Sequence, residues 1–102
     1  MKQKTEQFIS IPIRVLDSDS YRNLSPIARD ILTLSLKHFR PYDSSNTFTL
    51  SYNQICDHYH FSRRKIKPAL DELIKNQFFF VENKEYKHST IYKHNVGLLK
   101  IQ

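Results

Sequence analysis

The chain predicts an α+β fold, with three main helices and a small antiparallel β-hairpin, on three observations. Apolar residues recur at helical spacing after Ser25 and again after Ser62. A hydroxyl residue (Ser25, Ser51 or Ser62) stands where each helix should begin. Late in the chain the pattern changes to Phe78–Glu82, a polar turn, then Tyr86–Tyr92 with β-branched Thr90 and Ile91, which reads as a hairpin.

Taken in order, residues 1–7 are polar and are expected to fray. Phe8 to Pro12 reads as a short edge strand, with Pro12 ending its pairing. Val15 to Tyr21 is a short helix or turn. The first main helix has Ser25 as N-cap and Pro26 at the first helical position, where a missing N–H costs nothing. Ile27, Ile31 and Leu34, with Leu32 and Leu36, form its buried stripe, and Pro41 stops it after Arg40. The stretch from Pro41 to Asn46 is a loop. Phe48 to Leu50 alternates like a short strand. Ser51 followed by Gln54 matches a capping box, in which hydroxyl and amide satisfy two orphan backbone donors. Ile55 and Tyr59 then lie one turn apart, His60-Phe61 makes a corner, and Ser62 caps the third helix.

That third helix carries the chemistry. Four of the five residues from Arg63 to Lys67 are cationic. Ile66, Ala69, Leu70 and Leu73 share one face and belong in the core. Arg64, Pro68, Asp71 and Lys75 point away, flanked by Arg63 and Lys67 on one side and Lys65 on the other. Crowded cations weaken a helix unless an anion neutralises them, and a helix N-terminus favours anions. Two short helices with a tight corner, the second opening on cations, suit the major groove of DNA. Pro68 lies beyond the first turn, so the helix either bends there or starts later.

The element order helix, short strand, helix, helix, hairpin is that of a winged helix-turn-helix, here read as a single domain over residues 1–102. The hairpin is the wing, and Lys84, Lys87, His88, Lys93 and His94 lie around it. The apolar tail from Val96 to Gln102 docks either on its own domain or on a partner. Phe78, Phe79 and Phe80 are core rather than base-stacking, with Phe79 facing away from the other two.

Composition narrows the function. The formal net charge is +6 and the pI about 9.6, which favours an anionic partner. One glycine, Gly97, excludes Gly-rich phosphate loops. Cys56 alone permits no internal disulfide or cysteine-based zinc framework, which suits a reducing cytoplasm. No apolar run reaches the roughly 20 residues of a spanning helix, and the N-terminus has no apolar signal core. His58 and His60 fall on different helix faces, so no metal is expected. Asp17, Asp19 and Asp30 suit helix starts and turns, and no catalytic arrangement is visible, so an enzyme is not expected. No cofactor or small-molecule ligand is expected either.

The segments YRNLSPIARDIL (residues 21–32) and FTLSYNQICDHYHFSRRKIKPALDELIKNQFFF (residues 48–80) resemble winged helix-turn-helix proteins of phages, plasmids and mobile elements. Replication-initiator N-terminal domains and small regulators share this layout. The matching motifs are Leu-Ser-Pro-x-Ala-Arg, the Leu-Ser before the second helix, the Ser-capped basic helix and Ala-Leu-x-Glu-Leu before the wing. The family usually has glycine after the third helix; here Asn76-Gln77 stands there, and Asn tolerates the left-handed conformation. The resemblance implies duplex DNA binding by Ser62, Arg63, Arg64, Lys65 and Lys67. With the start of the second helix and the wing, the candidate DNA contacts are Ser51, Tyr52, Asn53, Ser62, Arg63, Arg64, Lys65, Lys67, Lys84 and Lys87. The expected partner is double-stranded DNA, with a homodimer reasonable through the apolar ends Phe8–Ile11 and Val96–Ile101. The alternative is a winged helix that binds proteins, as antirepressors and assembly factors do.

Overall fold

The computed structural model describes residues 9–39, 46–83 and 90–99. The expectations for residues 1–8, Arg40, Pro41, the 41–45 loop, the hairpin tip with Lys84, Lys87 and His88, and residues 100–102 lie outside them. The described elements are α1 (Ile13–Leu16), α2 (Asp19–Arg22), α3 (Pro26–Ser35) with a 3-10 turn (Leu36–His38), β1 (Thr47–Thr49), α4 (Tyr52–Tyr59), α5 (Arg63–Lys75), β2 (Phe79–Asn83), β3 (Ile91–His94) and α6 (Val96–Leu99). The fold is α+β, with a three-stranded antiparallel sheet in the order β1-β3-β2.

Local chemistry explains most helix starts. Ser25 Oγ accepts the Ala28 amide at 3.2 Å and opens α3. The same Oγ donates to Glu72 Oε2 at 2.7 Å, and the Ser25 amide donates to Glu72 Oε1 at 2.9 Å. One carboxylate on α5 therefore clamps the N-cap of α3, aligning the two helices that pack most closely in the core. The capping box forms as expected: Gln54 N donates to Ser51 Oγ at 3.1 Å and Ser51 N to Gln54 Oε1 at 2.8 Å.

Four expectations are corrected. Residues 9–12 form no strand: the Pro12 carbonyl instead accepts from Val15 and Leu16 at 3.0 and 3.2 Å, so Pro12 opens α1. Ser62 occupies the N-cap position of α5, but its hydroxyl caps nothing. The residue that turns left-handed after α5 is Gln77, at φ 65°, not Asn76, whose φ is −89°. Gln77 N reaches Ile74 O at 3.0 Å and Phe78 N reaches Leu73 O at 2.9 Å, the paired bonds of a Schellman motif. Because the chain reverses there, Phe78 precedes β2 and does not obey its alternation. Phe78 and Phe79 are both buried, while Phe80 is 43 % exposed. Pro68, by contrast, does not interrupt α5, which runs from Arg63 to Lys75 with Pro68 on its exposed side. A missing donor matters least where the abandoned carbonyl, that of Arg64, faces water.

The core gathers α3, α5 and one face of the sheet. Ile31, Leu32, Ile55, Ile66, Leu73, Phe78 and Phe79 are fully buried. Phe48 lies across the sheet, with its ring 5.0 Å from Phe79, 5.6 Å from Tyr92 and 4.2 Å from His94. The described part of the tail docks on its own chain: Leu99 is 1 % exposed, and Arg14 Nη2 donates to the carbonyls of Gly97 and Leu98 at 3.2 and 2.9 Å. Leu99 is thereby withdrawn from any dimer surface.

His94 is a buried titratable group. It is 1 % exposed, and its Nε2 donates to the Ser35 carbonyl at 3.1 Å, while Nδ1 has no partner among the described residues. Burial pushes its pKa down from 6.5 to about 4, against the opposing pull of the Ser35 and Asn46 backbone. A base whose folded pKa lies below its unfolded value gives up its proton on folding. Its contribution is complete above pH 6.5 and drains away as pH falls towards 4. The gap is worth roughly 3 kcal/mol.

Two measurements check this account. Urea denaturation of His94→Gln should show a flatter loss of stability between pH 6.5 and 4 than the wild-type protein; parallel curves would remove His94 as the cause. Gln77→Gly should raise stability by about 0.5–1 kcal/mol, because glycine carries no penalty at left-handed φ. A loss on that substitution would contradict the Schellman turn.

Candidate nucleic-acid interface

The corner between α4 and α5 is built by His60, Phe61 and Ser62. His60 adopts the left-handed conformation (φ 60°, ψ 34°), and its amide bonds Cys56 O at 2.7 Å. Tyr59 and Phe61 stack at 5.2 Å beneath the corner, each half-buried. The turn therefore rests on the core, and α5 leaves it in a defined direction.

Packing decides which face of α5 is free. Ile66 and Leu73 are 0 % exposed, and Ala69 and Leu70 are buried beside them. Arg63, Arg64, Lys65 and Lys67 are all exposed. Burying a side chain such as Ile66, Leu70 or Leu73 is worth about 1.5–3 kcal/mol. A like-charge pair on a helix surface, such as Arg63 with Lys67, costs only about 0.2–0.5 kcal/mol. Burial wins, and the helix tolerates its crowded cations.

The cations are not equivalent. Arg63 Nη1 donates to Asn53 Oδ1 at 2.6 Å, and its Cζ lies 5.6 Å from the centre of the Tyr52 ring. Lys67 Nζ pairs with Asp71 Oδ2 at 3.1 Å, one turn away and largely in water. Arg64 and Lys65 make no hydrogen bond or ion pair among the described residues. Ser62 is exposed with an uncommitted hydroxyl, whereas Ser51 is engaged in the capping box. Seven of the expected contacts, Tyr52, Asn53, Ser62, Arg63, Arg64, Lys65 and Lys67, thus lie on the facing starts of α4 and α5 or at the corner between them. Lys84 and Lys87 lie outside the described residues.

Burial raises the Tyr92 pKa, with Tyr52 and Asp71 adding to the rise and a hydrogen bond from Thr90 opposing it. Tyr92 therefore shares the electrostatic surroundings of α4 and α5. Beside it, Phe80 and Val81 on edge strand β2 are 43 % and 46 % exposed. Burial also raises the Tyr59 pKa, with Asp30 adding to it.

Other candidates are dispersed. His58 packs edge-on against Tyr59 at 4.5 Å, and among the described residues no three His, Cys, Asp or Glu side chains gather to hold a metal. Asp17 is the C-cap of α1 and Asp19 opens α2. Cys56 is half-buried against the core. No described helix is long and apolar enough to cross a membrane. The Asn53–Arg63 and Ser25–Glu72 bonds were not anticipated. Their partners are ten and 47 residues apart, and no local pattern connects them.

No protein-family model matches this chain, and no curated protein matches it. Solved structures do. The N-terminal domain of a DNA-binding protein superimposes with a TM-score of 0.56, covering 92 % of this chain and 83 % of that one at 19 % identity. A chain of a Rep–DNA complex superimposes with a TM-score of 0.55, covering 92 % and 84 %, also at 19 % identity. This chain shares their fold.

Proposed function

We propose that this chain is a winged helix-turn-helix module that binds double-stranded DNA without catalysing a reaction, in the cytoplasm, as a replication-initiation factor or transcriptional regulator of a mobile element. The observation that carries the reading is the start of α5: four exposed cations on a helix anchored by its opposite face, with only Lys67 paired to an acid among the described residues. The fold shared with a Rep–DNA complex supports replication over regulation. In this reading α5 enters the major groove. Arg reads guanine through two acceptors, and Lys meets phosphate. The hairpin touches the flanking backbone, through Lys84 and Lys87. A dimer would place two such helices on half-sites one helical turn apart. Ile13 is 75 % exposed and Leu16 41 %, an apolar surface on α1.

Exposed Phe80 and Val81 favour a second reading, a protein-binding winged helix whose partner covers β2. The two part on salt and on duplex. Under the DNA reading, log affinity falls with log salt at a slope of roughly −4 to −6 for five or six phosphates. Arg64→Ala costs about 1–3 kcal/mol on a duplex selected from a random pool, and less on unselected duplex. Mobility shifts at two salt concentrations measure both. A flat salt response sinks the DNA reading, and equal losses on both duplexes reduce Arg64 to a phosphate contact.

A further inference from the structure

Resting on the DNA-binding reading, we propose that Asn53 and Tyr52 are positioning residues that hold Arg63 ready to discriminate sequence. The Oδ1 of Asn53 accepts from Arg63 Nη1 at 2.6 Å. The guanidinium carbon lies 5.6 Å from the Tyr52 ring centre, so hydrogen bond and cation–π contact act on the same group from neighbouring residues of α4. Both residues sit in the first turn of a helix whose own start is locked by the Ser51–Gln54 capping box. The platform under Arg63 is therefore rigid.

This matters because an arginine carries much rotamer entropy, which is lost when it binds. An arginine already ordered loses less. Arginine has five N–H donors, and Nη1 serves Asn53. The edge formed by Nε and Nη2 makes no hydrogen bond among the described residues. That edge carries the parallel donors that match the O6 and N7 acceptors of guanine. Arg64 and Lys65 have no such hold among the described residues. The division is between one preset cation and two free ones within a single turn.

The test is a double-mutant cycle on the full chain: wild type, Asn53→Ala, Arg63→Ala and the double variant. Each is titrated with the duplex that the wild-type protein selects from a random pool and with unselected duplex, at two salt concentrations. Asn53 and Arg63 are exposed, so the variants should fold, and thermal melts verify it. Asn53→Ala should weaken the selected duplex roughly tenfold and the unselected duplex less than about twofold, with the salt slope unchanged because no charge is lost. Arg63→Ala should cost the selected duplex about tenfold or more and the unselected duplex far less, relaxing the preference between them. In its background, Asn53→Ala should matter less than about twofold. Arg63→Lys keeps the slope and loses the discrimination. An Asn53→Ala loss of the same size with and without Arg63 would mean that Asn53 contacts DNA directly, overturning the positioning role while leaving DNA binding intact. Failure of the wild-type protein to bind either duplex would overturn the functional reading and this role with it.

Discussion

The structure depends on the burial of one stripe of α5. Ile66, Ala69, Leu70 and Leu73 lie against α3 and the sheet, so the opposite face has nowhere to go but outward. That single constraint exposes Arg63, Arg64, Lys65 and Lys67 together. It also explains why a proline is tolerated in the helix, since Pro68 falls on the watered side. Glu72 reinforces the arrangement. It leaves α5 beside the buried stripe and accepts two hydrogen bonds from Ser25, tying the helix to the start of α3. Apolar burial gives most of the energy, and the carboxylate gives the alignment.

The rest of the fold steers the chain around that helix. At one end, His60 turns left-handed over the Tyr59–Phe61 stack and sets the direction in which α5 leaves. At the other, Gln77 turns left-handed and delivers Phe78 and Phe79 to the core in succession. Phe79 then meets Phe48 and His94, which locks β2 to β3 and β3 to β1. Strand β2 in turn packs against α5. Helix and hairpin are parts of one packed unit.

Much of this was legible in the residues. The caps at Ser25 and Ser51, the start of α5 after Ser62 and the stripe of α5 follow from short-range rules, because each involves partners within a turn or two. Failures came where neighbours in space are distant in sequence, or where two local solutions compete. Pro12 reads equally as a strand end and a helix start, and its carbonyl serves the helix. Asn76 is the better left-handed residue by propensity. Its side chain instead bonds Glu72 O at 2.8 Å, and the left-handed position falls one residue later, where the chain must turn to bury Phe78.

The sequence by itself determined α3, α4 and α5, the caps at Ser25 and Ser51 and the crowding of cations at the start of α5, because periodicity and capping act within a few residues. Only the tertiary structure decided which of those cations is held and which are free. Asn53 lies ten residues from Arg63 and meets it because the corner at His60 folds α4 back against α5. No spacing rule carries that information, since it depends on the angle between two helices set by what both bury.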